Sequence, residues 1–157
     1  MSDSIQIKPL SDVPDYYELV LGLIEEEFKY KNSPYKFEID FYPLIGKHNW
    51  HHCYVVFIDD EIVGHIGVKL RSLQYKNHAI PSALLGGIAI KSSWQRKGLM
   101  GYALPQVIEK YKDQVGLFFL WGNLTNLYSK FAFFECGGVI QIDNNEMLIP
   151  HDQHYEY

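Results

Sequence analysis

The sequence predicts an α/β fold of the α+β kind, with a mixed, mostly antiparallel central sheet flanked by helices. Three observations carry that prediction. Apolar residues switch between periods of about 2 and about 3.6, giving the order β-α-(α)-β-β-β-α-β-α-β-β. Two apolar runs flank Asp59-Asp60-Glu61, as in a hairpin. A strand ending at Ile90 leads through a polar loop into a helix with Leu99, Ala103, Val107 and Tyr111 at i, i+4 spacing. At 157 residues the chain has the length of one domain with a real core, so 1–157 is read as a single domain.

Taken in order, Ile5 to Leu10 alternates apolar and polar residues and reads as a first strand. Asp12 is placed to cap a helix with Pro14 in its first turn. Tyr17, Val20, Leu21, Ile24 and Phe28 form the apolar stripe of that helix, and Glu25, Glu26 and Glu27 its solvated side. From Lys31 to Asn49 the pattern breaks around Pro34, Pro43 and Gly46, with one short helix expected near Phe37 to Leu44. The aromatics of this segment, Tyr35, Phe37, Phe41 and Tyr42, with Trp50 beyond, suit either a substrate pocket or a cover for the sheet. His52 to Ile58 and Ile62 to Leu70 are the hairpin strands, the second running toward Tyr75 before a break at Asn77 to Pro81. In the next strand, Leu84 to Ile90, the pair Gly86-Gly87 marks a bulge or a close approach to the backbone. Pro105 predicts a kink in the following helix, with the freedom of Gly101 four residues back. Leu117 to Trp121 is a continuous apolar run, like a strand buried on both faces. Thr125 to Phe133 reads as a short helix, and Val139 to Ile149 as a final hairpin around Asp143-Asn144-Asn145.

Composition narrows the function. Fourteen basic against nineteen acidic residues leave a net charge of −5, which argues against nucleic-acid or anionic-membrane binding. No stretch approaches the ~20 apolar residues of a membrane helix. The N-terminus lacks the basic start and apolar run of a signal peptide, and Cys53 and Cys136 form no CxxC pair. A cytoplasmic protein with free thiols is therefore expected. His48, His51 and His52 cluster without an accompanying cysteine or carboxylate pattern, so no metal site is expected.

The chemistry concentrates between Leu84 and Tyr111. A polar loop carries Lys91, Gln95, Arg96 and Lys97, and Gly98 sits where a helix begins. Amides at a helix start have no internal partners, and the helix dipole favours an anion there. Gly98 lets a bulky phosphate come close to the backbone. The alternatives at this level are an anion cradle and a merely solvated basic loop. A P-loop is excluded because GxxxxGK[ST] is absent, and a dinucleotide fingerprint because only Gly98 and Gly101 are present.

Gln95-x-x-Gly98-x-Met100, following Ile88-Ala89-Ile90, resembles the acetyl-CoA motif of the GNAT N-acetyltransferase superfamily, Q/R-x-x-G-x-G/A after an apolar strand. Leu127-Tyr128-Ser129-Lys130-Phe131-Ala132-Phe133 resembles the family's LYxKxGF segment. Both stand in the family's order with an apolar strand between them, and the element order fits over nearly the whole chain. The resemblance implies a splayed parallel strand pair and acetyl-CoA as acyl-donor cosubstrate. It implies that the strand Ile88, Ala89 and Ile90 faces the pantetheine arm. The amides of Gln95, Arg96, Lys97, Gly98, Leu99, Met100 and Gly101 would hold the pyrophosphate. Asn123 and Asn126 would make polar contacts to the cofactor, and Tyr128 would be the general acid to the leaving thiolate. A phenol placed there eases departure of the thiolate by protonating it. The alternative is that Tyr128 is one of twelve tyrosines, packing a helix.

Three departures accompany the resemblance. Met100 stands where the family has Gly or Ala, and crowds the loop unless it turns toward the core. Ala132 replaces Gly, at a cost on the order of 1 kcal/mol if the position needs positive φ. The strand before the loop lacks an acid, leaving His65, His78 or an ordered water as the general base. The expected function is N-acetylation of a small-molecule or peptide amine by direct attack. Rivals are a non-catalytic module that binds CoA or a partner, and transfer of a longer acyl chain or to an oxygen. The oligomeric state is open, with a homodimer among the options.

Overall fold

The computed structural model of the chain describes residues 4–122 and 124–136. Asn123 and the final hairpin expected at Val139 to Ile149 lie outside the described residues. The chain divides into two compact units, Met1–Leu124 and Thr125–Tyr157, taken in turn.

In the first unit, five strands lie side by side in chain order: β1 (Ile5–Pro9), β2 (Cys53–Ile58), β3 (Glu61–Tyr75), β4 (His78–Ile90) and β5 (Leu117–Leu120). The first four are antiparallel, and β4 and β5 are parallel. The mixed, mostly antiparallel sheet expected from the sequence is the one that forms. Asp59 and Asp60 turn the first hairpin with φ of 46° and 67°, the left-handed pair whose twist matches the flanking strands. Glu61 is therefore strand and not turn.

The break expected at Asn77 to Pro81 is only the turn Lys76-Asn77, and β4 starts at His78. Pro81 is tolerated within it because its carbonyl points away from β3, accepting the Gly116 N–H at 2.8 Å. Its missing donor lies on that same side, where the β3 ladder does not need it. β2 pairs with β3 only from Glu61 to Gly67, and β5 pairs with β4 only from Ser82 to Leu85, so Ser72 to Tyr75 and His78 to Pro81 continue as a two-stranded ribbon.

Helix α1 (Tyr17–Glu27) starts later than Asp12 and Pro14 suggest. Two 3₁₀ turns, Leu10–Asp12 and Pro14–Tyr16, come first, and Asp12 makes no cap. Their backbone bonds, Val13 N–H to Leu10 O and Tyr16 N–H to Val13 O, both 3.1 Å, satisfy the groups that a cap would otherwise serve. Val20, Leu21 and Ile24 of α1 pack with Phe37, Val55, Phe57 and Ala89 on one face of the sheet.

The following segment holds two short helices, α2 (Phe37–Asp40) and α3 (Tyr42–Ile45), instead of one, then a 3₁₀ stretch Lys47–His52. Pro43 explains the split, because within one continuous helix its ring would clash with the carbonyl of Ile39. Asn49, 2% exposed, ties this segment to the sheet. Its amide donates to Leu44 O at 2.7 Å and Val68 O at 3.0 Å.

Helix α4 (Leu99–Glu109) buries Leu99, Ala103, Leu104 and Val107, with Tyr111 just beyond, and continues through Pro105. Tyr111 Oη lies 2.8 Å from Tyr54 Oη. Tyr54 faces opposite to Val55, which places α4 across the sheet from α1. β5 differs from expectation: Leu117 is exposed and the rest of the strand half-buried, because it forms the edge of the described sheet.

In the second unit, α5 (Thr125–Tyr128) runs into a 3₁₀ turn, Ser129–Phe131. Ala132 ends it at φ 61°, with Ala132 N–H on Ser129 O (3.2 Å) and Phe133 N–H on Tyr128 O (3.3 Å). This is a left-handed helix cap of the kind glycine serves best, so the expected need for positive φ is met by an alanine. Ala132→Gly is expected to stabilise the protein by roughly 0.5 kcal/mol, left-handed relief exceeding the added chain entropy. A urea midpoint that does not rise would contradict this.

Candidate functional site

The site grows out of an irregularity in β4. His65 pairs with Ala89 and Gly67 with Gly86, so β4 spends one residue more than β3 between these pairs. The extra residue is a bulge at Gly87, with φ 57°, where Gly86-Gly87 led it to be expected. Pairing with β5 ends at Leu85 and Leu120, just before the bulge. Beyond it, Lys91 N–H sits on Val63 O at 2.9 Å. Alternation then turns the backbone groups of Ile90 and Ile88 away from β3, on the side that β5 no longer covers.

The loop after β4 is braced from within and from α1. Gln95 Nε2 donates to Ile90 O at 2.9 Å and to Glu27 Oε2 at 2.7 Å. Glu27 Oε1 accepts the Ser92 N–H at 2.9 Å. Glu27 is thus a loop anchor and not only part of a wet helix face, and Glu25 likewise accepts the Phe37 N–H. The Gln95 N–H is used by Ser92 O at 3.3 Å. From Arg96 to Gly101, no amide has an acceptor among the described residues. Six consecutive donors therefore end at the start of α4, where the helix dipole adds positive potential.

The backbone there is left-handed at two positions. Arg96 takes φ 61° and Gly98 φ 83°, left-handed values that cost a non-glycine residue roughly 1–2 kcal/mol. A Cβ on Gly98 or on Gly101 would meet nothing within 4 Å, so both glycines face open space. Lys97 Nζ lies over the Trp94 ring at 4.5 Å, and Met100 is half-buried, turned partly inward. Donors, open space and basic side chains suit an anion such as a phosphate ester.

The remaining candidates separate. His65 lies fully buried beneath the bulge, its Nδ1 2.7 Å from Gly87 O, and burial pushes its imidazole down to about 4. His78 is exposed at the far end of β4, nine residues from Gly87, a run of about 30 Å at ~3.3 Å per residue. It is out of reach of the bulge. His52 Nδ1 bonds Tyr111 Oη at 2.6 Å, the His51 ring lies tilted against His52, and the His48 ring tilted against Tyr42. In the second unit, Asn126 is exposed. Tyr128 meets the Phe133 ring edge-on at 6.2 Å, and partial burial raises its phenol, which is therefore a donor at neutral pH. Asn123 lies outside the described residues.

The aromatic segment covers the sheet and also lines a cleft. Phe37, Leu44 and Ile45 are core. Glu38, Ile39, Tyr42, Lys47 and Trp50 line a cleft of about 440 Å³ with Tyr17. Tyr17 Oη donates to Glu38 Oε2 at 3.3 Å, and burial followed by the Glu38 charge pushes that phenol up to about 12. The bracing role of Glu27 had no local signal in the sequence, since its partners are more than sixty residues away.

The fold is a mixed α/β domain in which β4 leaves its parallel neighbour and leads into a loop of acceptor-free amides at the start of α4. The chain belongs to the acetyltransferase (GNAT) domain family, whose sequence model matches residues 6–136. No curated protein matches the chain. Among solved structures, a conserved protein of unknown function and probable N-acyltransferase from Enterococcus faecalis aligns with 83% of this chain at TM-score 0.66 and 13% identity. The chain spans about a third, 32%, of that protein's length. An aminoglycoside N-acetyltransferase in complex with CoA aligns at TM-score 0.68 and 14% identity, covering 92% of this chain and 97% of that one. A predicted acetyltransferase with acetyl-CoA from Clostridium acetobutylicum aligns at 0.66 and 9% identity, covering 89% and 95%. At these identities the likeness is one of fold. Among the described residues no helix is long and apolar enough to cross a membrane.

Proposed function

We propose that the chain, acting as one acyltransferase domain, moves an acetyl group from acetyl-CoA to the amine of a small molecule or peptide. The observation that carries this reading is the run of acceptor-free amides from Arg96 to Gly101, directly after the strand that leaves its parallel neighbour. The two solved structures of similar fold with CoA or acetyl-CoA support it.

Acetyl-CoA supplies an acetyl thioester when bound. On this reading, the amides of Arg96 to Gly101 hold its diphosphate, with Lys97 and Arg96 adding charge. Gln95 braces the loop through Glu27 and Ile90, and the outward backbone of Ile88 and Ile90 holds the pantetheine arm. On the same reading the Ile88 N–H is assigned the polarisation of the thioester carbonyl, and Tyr128 the protonation of the departing sulfur. Asn123 and Asn126 are assigned polar contacts to the cofactor. The cleft of Tyr17, Glu38, Tyr42 and Trp50, with one carboxylate among aromatic rings, suits an acceptor that carries an ammonium.

The test is thiol release from acetyl-CoA over a panel of amines, with CoA affinity measured in parallel by calorimetry. Tyr128→Phe should lower turnover ~10-fold or more while CoA affinity stays unchanged. No calorimetric signal with millimolar acetyl-CoA would sink the reading. Binding without turnover over a broad panel would favour the non-catalytic alternative, for which the lack of an acid on β4 is the specific observation.

A further inference from the structure

His65 is the most isolated polar side chain in the described core. It is fully buried, and its Nε2 has no hydrogen-bond partner. Its Nδ1 lies 2.7 Å from the carbonyl of Gly87, at the point where the β3–β4 register breaks. A carbonyl only accepts, so Nδ1 carries the proton and Nε2 a lone pair. A bulge leaves one residue out of the ladder, and the His65 ring takes up the Gly87 carbonyl that the ladder leaves over. The space is closed from the same side. A Cβ on Gly87 would come within 3.3 Å of both His65 Nδ1 and Phe37 Cζ. An unpaired buried nitrogen is costly, a cost that an apolar residue filling the same space would not carry.

We propose that His65 is a positioning residue: by holding the Gly87 carbonyl through Nδ1–H, it fixes the bulge and so aims the Ile88 N–H at the thioester carbonyl of the acyl donor. The proposal rests on the acyl-CoA reading above. The pyrophosphate amides lie beyond Ile90, on the loop braced separately by Glu27 and Gln95. The donor's anchoring and the aim of Ile88 are therefore separable.

The experiment compares wild type with His65→Leu and His65→Asn. The Asn amide nitrogen stands close to where Nδ1 stood and can donate to the same carbonyl, whereas Leu cannot. Affinity for desulfo-CoA, read by calorimetry, should stay within about 3-fold in both variants, since the pyrophosphate cradle is untouched. The kcat for acetyl-CoA should fall by ~10-fold or more in His65→Leu and recover to within about 3-fold of wild type in His65→Asn. The Gly87 and Ile88 amide resonances of the free protein should move in the Leu variant and return in the Asn variant. In wild type, nitrogen NMR should find the proton on Nδ1. A proton on Nε2, or a kcat that follows thermal stability equally in both variants, would overturn the proposal while leaving the acyl-CoA reading intact. Failure of wild type to bind CoA would overturn both. If His65→Leu does not fold, the tautomer and the activity of His65→Asn still decide.

Discussion

Replacing Gly98 by Glu is expected to weaken CoA binding by about 100-fold, about 2.7 kcal/mol, with the fold retained. The new carboxylate would stand at the start of α4, among six amides without acceptors, where the proposed ligand carries its diphosphate. Two unit charges about 4 Å apart in partly screened surroundings repel by up to about 4 kcal/mol, so a loss of this size follows even after relaxation. Folding bears a different cost. Gly98 sits at φ 83° with nothing within 4 Å of an added Cβ, so the substitution meets strain of roughly 1–2 kcal/mol and no clash. Gly98→Ala separates the two, because it carries the strain without the charge. It should lower the melting temperature as Gly98→Glu does and keep most of the CoA affinity. Calorimetry with CoA on both variants decides, and an unchanged affinity in Gly98→Glu would place the pyrophosphate elsewhere.

The second large effect concerns acid stability. Burial lowers His65 from 6.5 to about 4 in the folded protein, with no charged neighbour contributing. The unfolded chain therefore takes up a proton at His65 between about pH 6.5 and pH 4 that the folded chain refuses. Stability should be unaffected by this group above pH 6.5 and fall by about 3 kcal/mol on descending to pH 4. His52, also lowered by its burial, acts in the same direction. The comparison that isolates His65 is urea unfolding of wild type and His65→Asn at pH 7, 5.5 and 4. The variant should lose less stability over that interval by about 3 kcal/mol. Parallel losses in the two proteins would mean that His65 titrates normally in the fold.

What the sequence disclosed and what it hid divide along the range of the interactions. Leu99, Ala103, Val107 and Tyr111 announce their helix because one period lines them on one face, and all four are buried. Gly86-Gly87 announces the bulge, and Ala132 the left-handed cap, because backbone conformation is a local matter. Local cues also misled where tertiary structure absorbed them. Pro81 looked like a strand breaker, yet its missing N–H falls on the side where β3 asks for nothing. Asp12 looked like a helix cap, yet 3₁₀ turns satisfy the backbone before α1 begins. At the site, the glycine of the loop was legible. The bracing of that loop was not, since Glu27 meets Gln95 across 68 positions of sequence. Nor was the burial of His65, because nothing near it in sequence says that Phe37 and Gly87 will close over it.

The part of β3 beyond the end of β2 leaves a strand edge open. From Val68 to Tyr75, the outer edge of β3 has no partner strand among the described residues. Such an edge is a template on which any extended chain can add itself. Lys69, Arg71 and Lys76 lie along or just past this stretch. A second copy docking antiparallel to itself would bring these cations together and strip them of water. Along this edge the local charge is thus basic, while the protein as a whole is acidic.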